Sequence, residues 1–270
     1  MNSDIAMPPA ATALSTAALS TAEVQFYQEQ GYLILRNVFS AAEIGDLSAD
    51  VDRVQAEHSE CIDIHNMRVR FRPHHETGDN TFEVIDPISD LSPVARAFTR
   101  DRRILDVLHD LYGEPAELFK DKLIYKLPGV SGATLHQDWI GWPGFPESFL
   151  SVVVAIDPFI KESGPTEVFP GLHRKGYLSP KDGQHHYLAT EDLPAEPVPL
   201  LLDPGDLAIF SCFTPHRSAS NTGTQTRRGY FISYNARSDG GQQYQQHYRE
   251  FHEWLRSKCP EPQRNHLYFR

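Results

Sequence analysis

The sequence has 270 residues, and its 36 acidic residues against 25 Lys and Arg give a formal net charge of −11. That charge argues against a nucleic-acid or anionic-membrane surface, because such a surface needs clustered basic residues. A hydrophobic content of 40% and an aromatic content of 11% exclude global disorder. We therefore expect a folded globular protein that binds neither nucleic acid nor an anionic membrane.

Cysteine usage and the start of the chain indicate the compartment. The three cysteines are odd in number and far apart, which fits a reducing interior rather than a disulfide framework. The first 35 residues contain no Lys or Arg, so they lack the positively charged start of a secretory signal. These features predict a cytoplasmic protein.

The N-terminal third is predicted to be mostly helical. Residues 1–20 read as a flexible tail, and residues 21–270 as a single domain. A helix is expected from Thr21 to Gln30, ended by Gly31, with a strand directly after it. Ser40 and Glu43 form a capping-box signature for a helix that reaches about Glu57, and another helix is expected from about Pro93 to Gly113.

After Gly113, short β-rich runs alternate with Pro and Gly turns, which is typical of a β-sandwich or barrel. The predicted strands are at residues 118–127, 149–156, 166–169, 206–213 and 229–235. A final helix is expected within residues 242–258. The predicted fold class is therefore mainly β, with a double-sheet core and flanking helices.

The clearest chemical motif is His136-Gln137-Asp138. In a strand or at its exit, residues two apart point to the same side, so His136 and Asp138 can reach one ion. His216, which follows a predicted strand and a turn, is the best candidate for a third ligand. Two His and one carboxylate on one face of an ion are typical of non-haem Fe(II) oxygenases. The motif alone also fits a hydrogen-bonded turn.

A pair of arginines follows His216 at the start of a predicted strand, Arg227 and Arg228. A guanidinium aimed at the metal cavity can form a bidentate bond with the far carboxylate of 2-oxoglutarate, whose keto acid end chelates iron. Because neighbouring strand residues face opposite ways, only one of the two arginines can do so.

These residues lie in a series of motifs that resembles the phytanoyl-CoA dioxygenase (PhyH) family of Fe(II)/2-oxoglutarate oxygenases, over nearly the whole chain from about Val24 to Asp239. The similar segments are residues 26–39, 125–129 leading into 136–138, 162–165 with 168–173, where Leu172 replaces the usual Ser, and 205–227. The resemblance implies a double-stranded β-helix (jelly-roll, cupin-like) core.

The resemblance also assigns roles to individual residues. It implies that His136, Asp138 and His216 hold Fe(II), and that Arg227, with Ser218, anchors the C5 carboxylate of 2-oxoglutarate. Apart from the resemblance, Lys122 shares a strand face with Lys120 just before the metal motif and is a further expected cosubstrate contact. Halogenating relatives replace the acidic ligand with a small residue, so Asp138 favours hydroxylation with O2.

The substrate pocket has two candidate features. Trp139 and Trp142 flank the metal motif, where an aromatic face suits a cationic amine; plain core packing is the alternative. Arg68, Arg70 and Arg72 share one face if their segment is extended, and with Lys120 they form a candidate anion clamp; the alternative is a solvated face paired with Glu76 and Glu83.

An anion clamp beside an aromatic box predicts a small zwitterionic substrate. The chain resembles small bacterial oxygenases that hydroxylate 2-aminoethylphosphonate, or its N-trimethyl analogue, at the carbon next to phosphorus. An ectoine-like or amino-acid substrate stays open. So do two other classes of protein, a Zn²⁺ hydrolase with the same three ligands and a non-enzymatic jelly-roll binding protein. The sequence leaves the oligomeric state open.

Overall fold

The computed structural model describes residues 19–140, 144–179, 187–188 and 193–258. Five α-helices and ten β-strands lie within this part of the chain. In order they are α1 (Thr21–Gln30), β1 (Tyr32–Leu35), α2 (Ala41–Glu57), β2 (Val69–Pro73), β3 (Asn80–Ile85), α3 (Pro93–Phe98), α4 (Arg102–Tyr112), β4 (Ala116–Lys126), β5 (Leu150–Ala155), β6 (Thr166–Val168), β7 (Val198–Pro199), β8 (Leu207–Ser211), β9 (His216–Ser218), β10 (Arg227–Ala236) and α5 (Tyr244–Lys258).

Side-chain caps set the helix boundaries. Ser20 and Ser40 each form a complete capping box, with Glu23 and Glu43 respectively, and Gly31 ends α1 in a left-handed conformation. The single helix predicted from Pro93 to Gly113 is wrong, because two helices occupy that segment. The Asp101 side chain accepts a hydrogen bond from the Arg103 amide and starts a new helix after the turn that follows α3.

Two antiparallel sheets form the body of the protein. The large sheet has the strand order β1-β8-β5-β10-β4-β3-β2, and the small sheet has the order β7-β6-β9. β10 lies at the centre of the large sheet and pairs Arg227 with Lys126 and Phe231 with Lys122 on β4. The large sheet does not close into a barrel, since β1 and β2 remain its edges.

The large sheet separates two apolar layers. Its outer face packs against α2 and α4 through residues such as Leu47, Val51 and Val107. Its inner face, with Val153 and Phe210 among its side chains, packs with the small sheet. The mainly β fold with flanking helices is confirmed, and the two facing sheets form a jelly-roll core.

The two ends of the described chain contact the sheet and its helices. The predicted tail 1–20 falls largely outside the described residues, but its last two residues belong to the fold: Leu19 is buried and its amide donates to Asp110, and Ser20 caps α1. At the other end, α5 lies against β4 and buries Tyr248. None of the described helices is long and apolar enough to cross a membrane.

Candidate metal and cosubstrate site

The His136, Asp138 and His216 side chains meet at one point between the two sheets. The two histidines exchange backbone hydrogen bonds of 3.0 and 2.9 Å, which brings their ring centroids to 4.2 Å. Asp138 Oδ1 lies 3.8 Å from His136 Nε2 and 3.7 Å from His216 Nε2. One ligand atom from each residue lies within 4.8 Å of the other two.

Backbone carbonyls orient both imidazoles. The Nδ1 atoms of His136 and His216 lie 2.7 and 3.0 Å from the carbonyl oxygens of Thr134 and Thr214. A carbonyl can only accept, so each Nδ1 carries the hydrogen and each Nε2 keeps its lone pair for the ion. This arrangement fits a divalent metal.

Asp138 is held as a carboxylate. Its Oδ2 accepts a 2.9 Å hydrogen bond from Ser151, which is buried on β5. Burial would raise the pKa of Asp138, but the Lys122 charge and the Ser151 hydrogen bond favour the carboxylate and lower the pKa. An ionised carboxylate with two neutral imidazoles is the ligand set that Fe(II) takes in non-haem oxygenases.

Gln137, between the ligands, is a supporting residue that the sequence analysis did not single out. It is fully buried, and its amide donates to the Gly176 and Phe213 carbonyls while its Oε1 accepts from the Leu178 amide. These bonds attach the ligand segment to two loops. The alternation of the motif, which sends Gln137 away from the ion, was the available signal.

Arg227 and Arg228 face opposite sides of the large sheet. Arg228 ion-pairs with Asp157 at 2.8 Å and Asp52 at 2.7 Å, away from the cavity. Arg227 is buried, lines the cavity, stacks 4.2 Å over the Phe159 ring and donates to the Gly164 carbonyl. Its Nε and Nη1 have no hydrogen-bond partner among the described residues. Burial lowers the pKa of Arg227 to about 10, so it remains a cation at neutral pH.

One cavity of about 130 Å³ joins Arg227 to the metal ligands. Ser218 and Lys122 also line it. Ser218 Oγ accepts a 3.0 Å hydrogen bond from the Ala133 amide, and Lys122 Nζ lies 5.6 Å from the Phe231 ring centroid. Burial, together with Lys120, lowers the pKa of Lys122. The unpaired Arg227 donors match the far carboxylate of 2-oxoglutarate, so the residues present fit this cosubstrate.

The three arginines of β2 and its entry do not form one clamp. A register shift between Arg70 and Phe71 breaks the alternation on which a shared face depended. Arg68 is fully buried and binds both carboxylate oxygens of Asp90. Arg70 stacks on Phe251, with its ring centroid at 5.1 Å. Arg72 ion-pairs with Glu83, as the solvated-face alternative expected, and lines the cavity.

The remaining substrate candidates lie on the metal motif and on β4. Trp139 packs against Tyr177 and Phe213, and its Nε1 is buried with no hydrogen-bond partner in the described part of the chain. Trp142 lies outside the described residues. Lys120 Nζ is 3.3 Å from Asp86 and 5.6 Å from the Phe251 ring centroid.

The sequence model of the family described as Phytanoyl-CoA dioxygenase (PhyH) matches residues 27–229. The chain belongs to the PhyH family. As a PhyH member with a His-Asp-His site, it is an Fe(II)- and 2-oxoglutarate-dependent dioxygenase, and the expected cofactors Fe(II), 2-oxoglutarate and O2 are confirmed. Family membership favours this class over the zinc hydrolase and the non-enzymatic binding protein.

Two similar proteins have names that state a phosphonate substrate. A methylphosphonate hydroxylase from Gimesia maris is 37% identical over 139 residues, which are 51% of this chain and 52% of the relative. A 2-aminoethylphosphonate dioxygenase from an uncultured bacterium is 30% identical over 172 residues, which are 63% of this chain and 65% of the relative. Each of these matches spans less than two thirds of the relative's length.

The fold is shared with a solved structure. The crystal structure of EctD from S. alaskensis with 2-oxoglutarate and 5-hydroxyectoine superposes with a TM-score of 0.68 at 24% identity. The superposition covers 86% of this chain and 83% of that one. This likeness confirms the jelly-roll fold of the PhyH domain.

Proposed function

We propose that this protein hydroxylates a small zwitterionic phosphonate, with 2-aminoethylphosphonate or its N-methylated analogue as the best candidate. The oxygen enters at the carbon next to phosphorus, and 2-oxoglutarate is converted to succinate and CO2. The reaction would serve phosphonate catabolism in the cytoplasm. The two phosphonate-acting relatives support this substrate class.

The observation that carries the proposal is a group of cations on β2 and β4, of which Lys122 lines the cavity that contains the metal ligands. Arg70, Lys120 and Lys122 all act on the buried carboxylate of Asp86, and Lys122 also acts on that of Asp138. Burial would raise the pKa of Asp86, but these three cations lower it to about 2, so it is fully ionised and neutralises one of them. The remaining positive charge suits an anion, and a doubly charged phosphonate more than a single carboxylate.

The cosubstrate would lie along the inner face of β10 and β4. Arg227 donates its unpaired Nε and Nη1 to the C5 carboxylate, and Ser218 adds a hydroxyl donor. On β4, Lys122 is four residues from Lys126, the partner of Arg227, and it lines the same cavity as Arg227 and the metal ligands. This placement directs the keto acid end of 2-oxoglutarate toward His136, Asp138 and His216.

Fe(II), when held by His136, Asp138 and His216, supplies the oxidising chemistry that inserts an atom of O2 into the substrate C–H bond. The protein contributes position and exclusion of water. Ser151 holds the Asp138 carboxylate in place, and the two backbone carbonyls hold the imidazoles. Phe210 and Phe231 form apolar walls beside the ligands.

The test is a substrate panel with succinate as the readout. Protein with Fe(II), ascorbate and 2-oxoglutarate is incubated with 2-aminoethylphosphonate, its N-trimethyl analogue, methylphosphonate, ectoine or an amino acid. We expect a phosphonate to raise succinate formation above the substrate-free rate, with a hydroxylated product visible by ³¹P NMR. Turnover driven by ectoine or an amino acid, with none by phosphonates, would overturn the substrate proposal.

A charge-removing variant sharpens this test. Lys120→Gln should raise the KM for the phosphonate by roughly ten- to a hundredfold, since a charge-assisted hydrogen bond is lost. The KM for 2-oxoglutarate should change little. Lys175→Gln, at an exposed position, is the matched control. Equal phosphonate KM values for the Lys120 and Lys175 variants would contradict a role for Lys120.

A further inference from the structure

Lys126 is a buried lysine beside the proposed carboxylate anchor, and no role in the reaction has been assigned to it. Its side chain is 1% exposed, and it is paired across the strands with Arg227. Its Nζ lies 3.0 Å from the Gly164 carbonyl and 2.8 Å from Ser218 Oγ, and it also contacts the Ala219 carbonyl. The Gly164 carbonyl is the one that Arg227 contacts.

The hydroxyl of Ser218 has two donors around it. The Ala133 amide donates to Ser218 Oγ at 3.0 Å, and Lys126 Nζ approaches the same oxygen. A hydroxyl accepts two hydrogen bonds and donates one. The direction of the Ser218 proton is therefore decided by whether Lys126 donates to it or accepts from it.

The two protonation states of Lys126 direct the Ser218 proton in opposite ways. The carbonyls of Gly164 and Ala219 can only accept, so each takes one N–H of Lys126. An ammonium has a third N–H for Ser218, which then must aim its own proton elsewhere, into the cavity that it lines. A neutral amine has no third N–H, and its lone pair accepts the Ser218 proton instead.

We propose that Lys126 is a positioning residue for 2-oxoglutarate that acts through Ser218. In its protonated form it occupies an acceptor site of Ser218 and so directs the Ser218 hydroxyl at the C5 carboxylate. The inference rests on the proposed anchoring of that carboxylate by Arg227 and Ser218.

The charges around Lys126 make its protonation sensitive to a bound anion. Arg227 on β10 and Arg72 on β2 face it, together with two acids, Glu83 on β3 and Glu167 on β6. Both acids are already ion-paired, Glu83 with Arg72 and Glu167 with Arg217, each at 2.7 Å. Burial, together with the two arginines, lowers the pKa of Lys126 to about 7. A carboxylate bound beside Arg227 would favour the ammonium.

The experiment measures, at two pH values, how much 2-oxoglutarate affinity is lost when the Ser218 hydroxyl is removed. Calorimetry measures the Kd of 2-oxoglutarate for Mn(II)-loaded protein, wild type and Ser218→Ala, near pH 6 and near pH 9. At the lower pH, where Lys126 is protonated, the substitution should weaken binding about tenfold, the value of a hydrogen bond to a charged group. At the higher pH the ratio should fall to about twofold or less, because the Ser218 proton is then engaged by Lys126.

At each pH, the Kd of Ser218→Ala is divided by the Kd of the wild type. Because both proteins have the same metal centre, this Kd ratio cancels the pH dependence of metal and ligand chemistry. In a Lys126→Met background, with folding checked by circular dichroism, the Ser218→Ala ratio should be the same at both pH values. A ratio independent of pH in the wild-type background would overturn the role of Lys126, whether or not Lys126→Met folds.

A third variant separates this inference from the proposed function. Arg227→Gln should weaken 2-oxoglutarate binding strongly at both pH values. If it does not, the anchor itself is wrong. If it does, and the Ser218 ratio is still independent of pH, only the role of Lys126 fails.

Discussion

His136 and His216 are joined by two backbone hydrogen bonds, of 3.0 and 2.9 Å, so two metal ligands that are far apart in the sequence sit on directly paired backbones. Each donates its Nδ1 hydrogen to the carbonyl two residues earlier, at Thr134 or Thr214. The ligand geometry is therefore set by main-chain pairing. It depends little on the packing of flexible side chains.

Removal of the carboxylate ligand should separate metal binding from folding. Asp138 contacts Ser151 and the two imidazoles, and its truncation leaves only two ligands. We expect Asp138→Ala to abolish activity and to weaken Fe(II) binding by at least about a hundredfold, with little change in Tm of the metal-free protein. Metal titration and circular dichroism measure the two effects, and normal iron affinity would refute the assignment.

The neighbouring arginines Arg227 and Arg228 offer a matched pair of variants on one strand. Arg227→Gln should raise the KM for 2-oxoglutarate by about a hundredfold, because a charge-assisted bidentate contact is lost. Arg228→Gln breaks ion pairs with Asp157 and Asp52 and should lower stability by about 1 kcal/mol, with an unchanged KM. Steady-state kinetics measure the KM, and urea unfolding measures the stability. If Arg228 were the anchor, Arg228→Gln would raise the KM and Arg227→Gln would not.

The buried Arg68–Asp90 pair should be structural. Arg68 is fully buried and donates to both Asp90 oxygens and to the Pro87 carbonyl. Asp90→Asn removes a carboxylate from a buried guanidinium and should lower the free energy of unfolding by about 3 kcal/mol. Substrate and cosubstrate KM values of the folded variant should stay at wild-type levels. A selective rise in substrate KM at wild-type stability would instead place Arg68 in the pocket.

Stability should fall on acidification below about pH 6.5 because of His247 on α5. Burial, together with Lys120, lowers the pKa of His247 to about 3, from an ordinary value of 6.5. Between these values the unfolded chain binds the proton that the folded protein excludes, so the free energy of unfolding decreases by up to about 1.4 kcal/mol per pH unit. His247→Gln should flatten this slope in urea titrations from pH 7 to 4. An equal slope in both proteins would count against a buried neutral imidazole.

Local signals in the sequence determined much of the fold. Capping boxes at Ser20 and Ser40, a glycine at position 31 and alternating strands are read within a few residues, and the structure contains them at those places. The helix break before Asp101 is not visible in the apolar pattern, because apolar residues continue at helical spacing across it. The order of the family motifs likewise indicated the metal triad and Arg227 before any contact was known.

Only the tertiary structure decided which charged side chains are available to a ligand. Asp90, 22 residues away, holds Arg68 outside the cavity, and a register shift after Arg70 breaks the expected shared face. Contacts of Lys126 with residues 38 to 93 positions distant bury it beside Arg227. Periodicity and helix caps act between neighbours along the chain. The burial and pairing of a charged side chain depend instead on which distant segments pack around it. A single sequence does not specify those segments in advance.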